Sequence, residues 1–295
     1  MADLALAGVM AIWGSTFAVV RVLVGGNEPA VSPMLLVAVR MGVASALLVL
    51  WLALRGDLRL GRAVWRDGLI CAALLGGGFL LQIEGQRRTT ASRSGFLTGL
   101  VVVFVPLLEL ILFRKRPSVP AAAGIALAFG GMALLSGGGS AQEAQLVGDA
   151  LTVGCAVVFA GHIVALGRVA GRHPVLPLLF VQLVGTGAMA AAAGPLVERQ
   201  HFTYDPRVLA ALGYLAVLAT LLTFGVQTWA QQRLPPVRMA LLSALEPVFA
   251  AIWAAALIGE RLSGRELSGG ALIVLGVVVG ETGAALLARP RGPPV

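Results

Sequence analysis

Long, uninterrupted apolar runs constrain this chain more than any other feature. From Leu97 to Phe113, only Thr98 and Glu109 are polar, so a helix built there is apolar on nearly every face. The hydrocarbon core of a bilayer, about 30 Å thick, takes roughly 20 such residues per helix. Lipid offers no partner to backbone N–H and C=O groups, so spans are helices or strands of closed barrels. Barrel strands alternate apolar and polar residues, and this run does not. The sequence therefore predicts membrane-spanning helices.

The composition agrees with a membrane protein. Hydrophobic residues make up 58% of the 295 residues and charged residues 12%, which is about half the charged share of a soluble domain. The net charge is +8, and the cations lie in short links between apolar runs. Membrane topology explains that placement better than nucleic-acid binding does. Cys71 and Cys155 lie in predicted helices, in no metal-binding pattern, so we expect no disulfide, metal or cofactor.

The apolar runs break at glycines, prolines and charge clusters, which predicts ten membrane-spanning helices. We place them at residues 4–24, 32–54, 67–86, 91–113, 118–136, 148–168, 174–194, 207–231, 237–258 and 267–287. Arg and Lys are more frequent in the links on the same side as the N-terminus. By the positive-inside rule, both termini are predicted to be cytoplasmic, in a multi-pass protein of the cell (inner) membrane.

The two halves of the chain resemble each other weakly. Shifts of 145 or 146 residues align Asp3 with Asp149, Gly8 with Gly154, Trp13 with Phe159, Thr16 with His162, Gly124 with Gly269 and Gly131 with Gly276. These pairs predict a duplicated five-helix unit, with residues 1–146 as the first copy and 147–295 as the second. An odd number of spans inverts the second copy, and inverted repeats are typical of secondary transporters. We expect an all-α membrane fold of two inverted five-helix repeats around a central cavity.

Several short motifs, in order and spacing, resemble the EamA family of the drug/metabolite transporter superfamily. They are Trp13-Gly14-Ser15-Thr16-Phe17, Arg40, the stretch from Leu81 to Leu100, Pro106, the stretch from Leu242 to Phe249, and Gly259-Glu260-Arg261-Leu262. The resemblance covers essentially the whole chain. It implies ten helices in two inverted repeats and the export of amino acids or other small metabolites. One branch of the family exports aromatic amino acids. Glu84, Arg87 and Arg88 add charges where family members usually have fewer.

Four polar residues share one face of the predicted eighth span: Thr220, Thr223, Gln227 and Gln231. A lipid-facing helix would not keep a polar stripe over three turns. The stripe either lines a wet cavity or hydrogen-bonds a neighbouring helix. We favour the cavity, because four polar groups exceed what helix packing usually requires.

Aromatic and polar residues recur at helical spacing on the first, third and sixth predicted spans. Helix packing is the alternative explanation for each stripe taken alone. Aromatic walls suit flat or apolar substrate side chains, and Gln, Ser and Thr suit a polar end. The predicted substrate cavity comprises Trp13, Thr16, Phe17, Phe79, Gln82, Gln86, Ser94, Thr98, Phe159, His162, Thr223, Gln227 and Ser243.

Charged groups inside apolar spans are costly and mark either function or structural pairing. Glu246 is a candidate proton carrier, or else a structural carboxylate bonded beside the following proline or paired with Arg40. Arg40 is predicted to be a structural partner rather than a substrate ligand. His162 is either a proton relay or a satisfied histidine at a helix interface. Glu109 is predicted to pair with Arg114 at the membrane surface.

Small-residue motifs occur at Gly95-xxx-Gly99 and Gly276-xxx-Gly280, and they let helices approach closely. They predict packing within a monomer, with a weak homodimer as the alternative.

We expect a secondary transporter that exports small metabolites, with aromatic or apolar amino acids as substrates, by alternating access. The alternative is a membrane-embedded enzyme or sensor. The sequence lacks the HExxH, GxSxG and GxxxxGK[ST] motifs, and its links are too short for a sensor's output domain. The expected partners are a small-molecule substrate, the lipid bilayer and, as a candidate coupling ion, protons. We expect no nucleic acid.

Overall fold

The structure is a computed structural model that describes residues 1–25, 29–56, 60–88, 91–135, 143–258 and 263–287. Residues 136–142 of the predicted glycine-rich link from 136 to 148, and the motif at 259–262, lie outside these ranges. The described residues form α1 (Ala2–Val24), α2 (Pro33–Leu54), α3 (Arg62–Gln86), α4 (Ala91–Gly99), α5 (Val101–Phe113), α6 (Val119–Leu135), α7 (Glu143–Val169), α8 (Val175–Val197), α9 (Pro206–Ala216), α10 (Thr223–Gln231), α11 (Pro236–Ser243), α12 (Glu246–Ile258) and α13 (Gly264–Leu287).

Irregular segments connect some of these helices. A 3₁₀ turn, Ala170–Arg172, follows α7, and a π-helix, Val217–Leu222, joins α9 to α10. Within the described ranges no β-strand forms, and one isolated bridge joins Val31 to Phe202.

Eight helical segments of the described chain are long and apolar enough to cross a membrane. They are Ala2–Val24, Pro33–Leu54, Arg62–Gln86, Ser94–Phe113, Leu146–Arg172, Val175–Val197, Pro206–Gln231 and Pro236–Trp253. The apolar helices Val119–Leu134 and Leu267–Gly280 are shorter. The chain is therefore an all-helical, multi-pass membrane protein, and the number of ten spans stays a prediction.

Two of the long segments break at corresponding places in the two halves of the chain. The α4–α5 junction lies at Leu100, whose N–H bonds to the carbonyl of Leu97, and the α11–α12 junction includes Ala244, whose N–H bonds to Leu241. These i→i+3 bonds are 3₁₀ turns. Pro247 follows the second break and cannot donate to the carbonyl four residues back. Broken backbone at membrane depth is tolerated where it is buried in protein or lines a cavity.

A π-helix interrupts the segment 207–231, which the sequence predicted as one span. The carbonyl oxygen of Ala219 within it accepts side-chain hydrogen bonds from Trp13 on α1, at 3.3 Å, and from Arg40 on α2, at 3.2 Å. The π-helix thus presents a main-chain acceptor to two helices of the first half, and such π segments are frequent at functional sites.

Helices α6 and α13 approach so closely that a side chain would not fit between them. A Cβ atom on Gly131 would lie 2.5 Å from the carbonyl oxygen of Gly269, and a Cβ atom on Gly276 would lie 2.6 Å from that of Gly124. The Gly276-xxx-Gly280 motif is therefore packed against α6 of the same chain.

Helices of the first half pack mainly against helices of the second. The pairs include α1 with α12, α2 with α8, α3 with α7 and α6 with α13. Apolar side chains form two large core clusters, and Trp13 and Phe159 contact both of them. The aromatic pair that the repeat alignment matches thus lies between the two clusters.

Candidate substrate cavity

A cavity of about 90 Å³ lies between helices of both halves. A water molecule needs about 10–15 Å³ of such space, so the cavity holds several waters or part of a small metabolite. Both helix breaks form its wall, since Gly99 and Val101 flank the first break and Ser243 and Glu246 flank the second. The interrupted backbone therefore lines a cavity, which is where broken helices are tolerated at membrane depth.

All the predicted cavity residues except Ser94 and Thr223 line this cavity: Trp13, Thr16, Phe17, Phe79, Gln82, Gln86, Thr98, Phe159, His162, Gln227 and Ser243. Arg40 and Glu246 line it as well. The tertiary structure thus brings together residues from eight helices, and their role in substrate binding stays a prediction.

The two exceptions are buried for different reasons. The hydroxyl of Thr223 accepts the indole N–H of Trp13 at 2.9 Å, so this threonine holds a wall residue in place. Ser94 is fully buried, and its Oγ has no hydrogen-bond partner among the described residues.

Four aromatic rings form one side of the cavity. The Trp13 and Phe224 ring centroids lie 5.1 Å apart, Phe79 and Phe159 meet edge to face at 5.5 Å, and Phe79 lies 6.0 Å from Phe224. Such geometry suits aromatic packing. Sequence reasoning missed Phe224, because an apolar residue in an apolar helix gives no distinguishing signal. The same holds for Val20, Leu75, Ile83 and Val101.

Arg40 is buried and holds α2 against the π-helix. Its Nε donates to the hydroxyl of Thr220 at 2.9 Å, one Nη donates to the carbonyl of Ala219, and its Cζ lies 5.1 Å from the Phe79 ring centroid. Arginine suits this use because its planar fork makes several directed bonds and stacks on aromatic faces. The predicted structural partner is therefore the π-helix, and no ion pair joins Arg40 to Glu246.

Glu246 is the first residue of α12 and lines the cavity, partly buried. Within the described chain, its carboxylate has no hydrogen-bond or ion-pair partner, so neither predicted structural pairing is present. The N-terminal end of a helix favours a negative charge through its dipole. The carboxylate is thereby available to a ligand or a proton.

The polar stripe on α10 divides between the cavity and a helix interface. Gln231 donates its amide to the carbonyl of Ile163 on α7 at 2.7 Å, and its oxygen accepts the amide of Gln227 at 3.2 Å. Gln227 lines the cavity, and its buried Oε1 has no partner among the described residues. Both sequence interpretations of the stripe therefore apply, to different residues.

His162 lies at the interface between α7 and α8 and also lines the cavity. Its Nε2 is 2.9 Å from Oε1 of Gln182, whose amide nitrogen donates to the carbonyl of Leu178 at 3.3 Å. The helix-interface interpretation of His162 matches this contact.

Two ion pairs and one histidine–carboxylate hydrogen bond lie at one end of the bundle, and each joins the first half of the chain to the second. They are Asp3 with Arg238 at 3.0 Å, Glu109 with Arg168 at 2.9 Å, and Asp67 with His173 at 2.8 Å. Gln232, just before α11, donates to the carbonyl of His173, which places all three pairs at the same end. Trp13 lies ten residues beyond Asp3, roughly 15 Å along α1, so the cavity lies away from this end of the bundle.

The predicted pair of Glu109 with Arg114 is wrong. Arg114 ends α5 in the left-handed conformation, with φ of 55°, and five residues separate the two rather than the three or four that bring side chains together on a helix. Glu109 instead pairs with Arg168 on α7, whose Cζ lies 3.5 Å from the Phe113 ring centroid.

A multi-pass helical protein whose broken helices line a cavity between its halves has the architecture of a membrane transporter. The chain belongs to the EamA-like transporter family, whose sequence profile matches residues 1–137 and again 146–280. The family resemblance predicted from the motifs is thereby confirmed.

Similar proteins agree with this assignment. The chain is 28% identical to the uncharacterized inner membrane transporter YedA of Escherichia coli, over 99% of this chain and 94% of that protein. It is 30% identical to a probable amino-acid metabolite efflux pump of Salmonella typhimurium, over 61% of this chain and 64% of the other. A solved protein structure with 22% identity superposes with a TM-score of 0.80, covering 98% of this chain and 99% of its own, and shares the fold. Family and relatives point to a transporter rather than an enzyme.

Proposed function

We propose that this protein is a secondary transporter that exports aromatic or apolar amino acids by alternating access. The observation that carries the proposal is a cavity in which four aromatic rings form a wall and the Glu246 carboxylate has no partner among the described residues. An amino acid with an apolar side chain matches both features, because it brings an ammonium group and an apolar surface. The similarity to a probable amino-acid metabolite efflux pump of Salmonella typhimurium supports amino acids as the general substrate class.

The proposed architecture is ten spans in two inverted repeats, residues 1–146 and 147–295. The family profile matches the chain twice, and the helix breaks at Leu100 and Ala244 occupy corresponding places in the two matches. Helix α7 begins at Glu143, so the boundary at 146 falls in its first turn. Both observations support duplication, and the shorter helices α6 and α13 then span the membrane as an adjacent pair.

Alternating access requires that the two ends of the cavity open in turn. We place both termini on the cytoplasmic side of the inner membrane. The ion-paired end of the bundle contains Asp3, close to the N-terminus, and is therefore cytoplasmic. Export then begins when the three pairs separate and admit substrate from inside. Glu246 is the proposed site of proton coupling, since a carboxylate without a protein partner can exchange a proton as substrate enters and leaves.

Flux through the purified protein tests the proposal. The protein is reconstituted in liposomes, and uptake of labelled aromatic, apolar and polar amino acids and other small metabolites is compared with empty liposomes. We expect flux of aromatic and apolar amino acids, and we expect Trp13→Ala and Gln227→Ala to weaken apparent affinity while the protein stays folded. Flux equal to that of empty liposomes across the panel contradicts a transporter and favours the enzyme or sensor alternative.

A further inference from the structure

We infer that one wall of the cavity is a receptor for the ammonium group of the substrate. This acceptor wall consists of Oε1 of Gln227, Nδ1 of His162 and the carboxylate of Glu246. The inference rests on the proposed function, because it names the group of the transported molecule that the site holds. Two hydrogen-bond chains that run through glutamines support the inference. In each chain, a main-chain carbonyl, which can only accept, determines which atoms donate and which accept.

The first chain fixes the orientation of Gln227. A main-chain carbonyl can only accept, so the atom of Gln231 that lies 2.7 Å from the oxygen of Ile163 is its amide nitrogen. The oxygen of Gln231 therefore points to Gln227 and accepts its amide nitrogen at 3.2 Å. The oxygen of Gln227 is left over, with no partner in the described chain and a side chain only 2% exposed. Gln227 lines the cavity, and this oxygen is the acceptor that the residue has left to offer there.

The second chain fixes the tautomer of His162. Gln182 donates its amide nitrogen to the carbonyl of Leu178, so its oxygen faces Nε2 of His162 at 2.9 Å. Nε2 must then carry the proton, and in the neutral ring Nδ1 becomes an acceptor. No hydrogen bond to Nδ1 is found among the described residues, and the ring lines the same cavity as Gln227. Two independent hydrogen-bond chains thus each leave this wall with an acceptor atom rather than a donor.

Glu246 supplies the countercharge. Its carboxylate accepts hydrogen bonds and has no partner in the part of the chain that the structure describes. An acceptor without a partner is costly once water is removed, so a wall with three acceptors that lack partners among the described residues favours a ligand that brings donors. A primary ammonium brings three N–H donors and a positive charge, and the aromatic rings of Trp13 and Phe159, which line the same cavity, favour a cation further. A carboxylate placed there would meet lone pairs and a like charge.

Matched probes that keep only the amine or only the carboxylate of an amino acid test which of these groups the site binds. Binding of phenylalanine, phenethylamine and 3-phenylpropionate to the purified protein in nanodiscs is measured by calorimetry, together with the aliphatic series leucine, isoamylamine and 4-methylpentanoate. We expect the amine to bind at least about tenfold more tightly than the acid in at least one series, as loss of a hydrogen bond to a charged group implies. Equal binding of amine and acid, or no amine-selective binding in either series, overturns the assignment.

The relay is the hydrogen-bond chain from Ile163 through Gln231 to Gln227, and Gln231→Leu tests it without changing a residue that lines the cavity. Freed from Gln231, Gln227 can turn its amide nitrogen toward the ligand, so we expect the amine preference to fall at least about tenfold. Gln232→Leu is the matched control, because Gln232 also donates to main-chain carbonyls, those of Ala170 and His173, and does not line the cavity. An amine preference that Gln231→Leu and Gln232→Leu change equally contradicts the relay.

The failures of the two proposals are distinguishable. Amino-acid flux with unselective binding of amine and acid overturns the acceptor wall and leaves the transporter intact. Amine-selective binding without flux overturns transport and leaves the acceptor wall intact.

Discussion

Trp13 donates its indole N–H to the hydroxyl of Thr223 at 2.9 Å and thereby joins the first half of the chain to the second beside the cavity. The carbonyl of Ala219 lies 3.3 Å from the same nitrogen. Trp13 thus lines the cavity while its indole N–H is held by the opposite half of the chain. Thr223 acts through Trp13 and does not line the wall itself.

Thr223→Val should loosen this wall, because valine keeps the shape and removes the acceptor. We expect the free energy of unfolding to fall by about 1 kcal/mol, together with weaker binding of aromatic amino acids. Thermal unfolding in detergent and calorimetric binding measure the two effects. The control is Thr228→Val, since the hydroxyl of Thr228 bonds to the carbonyl of Phe224 on its own helix. Equal loss of binding in both variants would show that the tryptophan link is unimportant.

The two ion pairs and the Asp67–His173 hydrogen bond at this end of the bundle predict a conformational shift when they are broken. Glu109→Gln with Asp67→Asn removes two of the carboxylates that join the halves, and a bundle end without them should open more often. Cys71, fully buried one turn beyond Asp67, is a natural reporter once Cys155 is replaced by alanine. We expect maleimide to label Cys71 several-fold faster in the double variant.

The control for this shift is Glu84→Gln, which breaks a surface pair with Arg88 at the far end of α3. Unchanged labelling in the double variant, or the same increase in the control, would show that the ion pairs do not hold the end closed. Thermal unfolding of both variants separates opening from loss of the fold.

Glu246→Gln should uncouple transport from protons while leaving a folded protein, since glutamine keeps the size and hydrogen bonding of the side chain and cannot exchange a proton. In liposomes, a pH gradient should accelerate flux through the wild type and have no effect on the variant. Glu84→Gln serves again as the control, because its carboxylate is away from the cavity. If the pH dependence of Glu246→Gln matches that of the wild type, Glu246 is not the proton carrier.

Gly131→Ala should destabilise the α6–α13 pair, because its Cβ would lie 2.5 Å from the carbonyl oxygen of Gly269. Overpacking of this kind costs about 1–3 kcal/mol. The neighbouring Gly130→Ala is the control, since its Cβ would make an ordinary contact of 3.6 Å with Leu272. Thermal unfolding should separate the two variants, and equal midpoints would mean that the helices are farther apart than described.

The sequence predicted much of the cavity because polar and aromatic residues contrast with an apolar background. Gln82, Gln227 and Glu246 were found this way, since each is costly in lipid and so needs a wet or paired environment. Phe224 was missed because it does not contrast with its neighbours. The same reasoning misplaced Thr223, since periodicity gives a helix face and not the partner that the face meets.

Only some of the helix breaks can be predicted from the sequence. Pro247 signals the α11–α12 break, because proline lacks the N–H that an uninterrupted helix needs. The π-helix at Val217–Leu222 has no such residue, and it forms where α1 and α2 bring Trp13 and Arg40 to the carbonyl of Ala219. Its position depends on contacts between residues about 180 or more apart in the chain.

The sequence by itself determined that this protein lies in the membrane and is built of helices, because apolar runs of sufficient length have no other stable arrangement in lipid. The order and spacing of its motifs also placed it with the EamA-like transporters. Only the tertiary structure decided which polar groups are satisfied and which face the cavity. Gln231 and Gln227 look alike on one helix stripe, yet the first is anchored to Ile163 and the second presents a free oxygen. That difference arises from the rotation of α10 against α7, which no local pattern encodes.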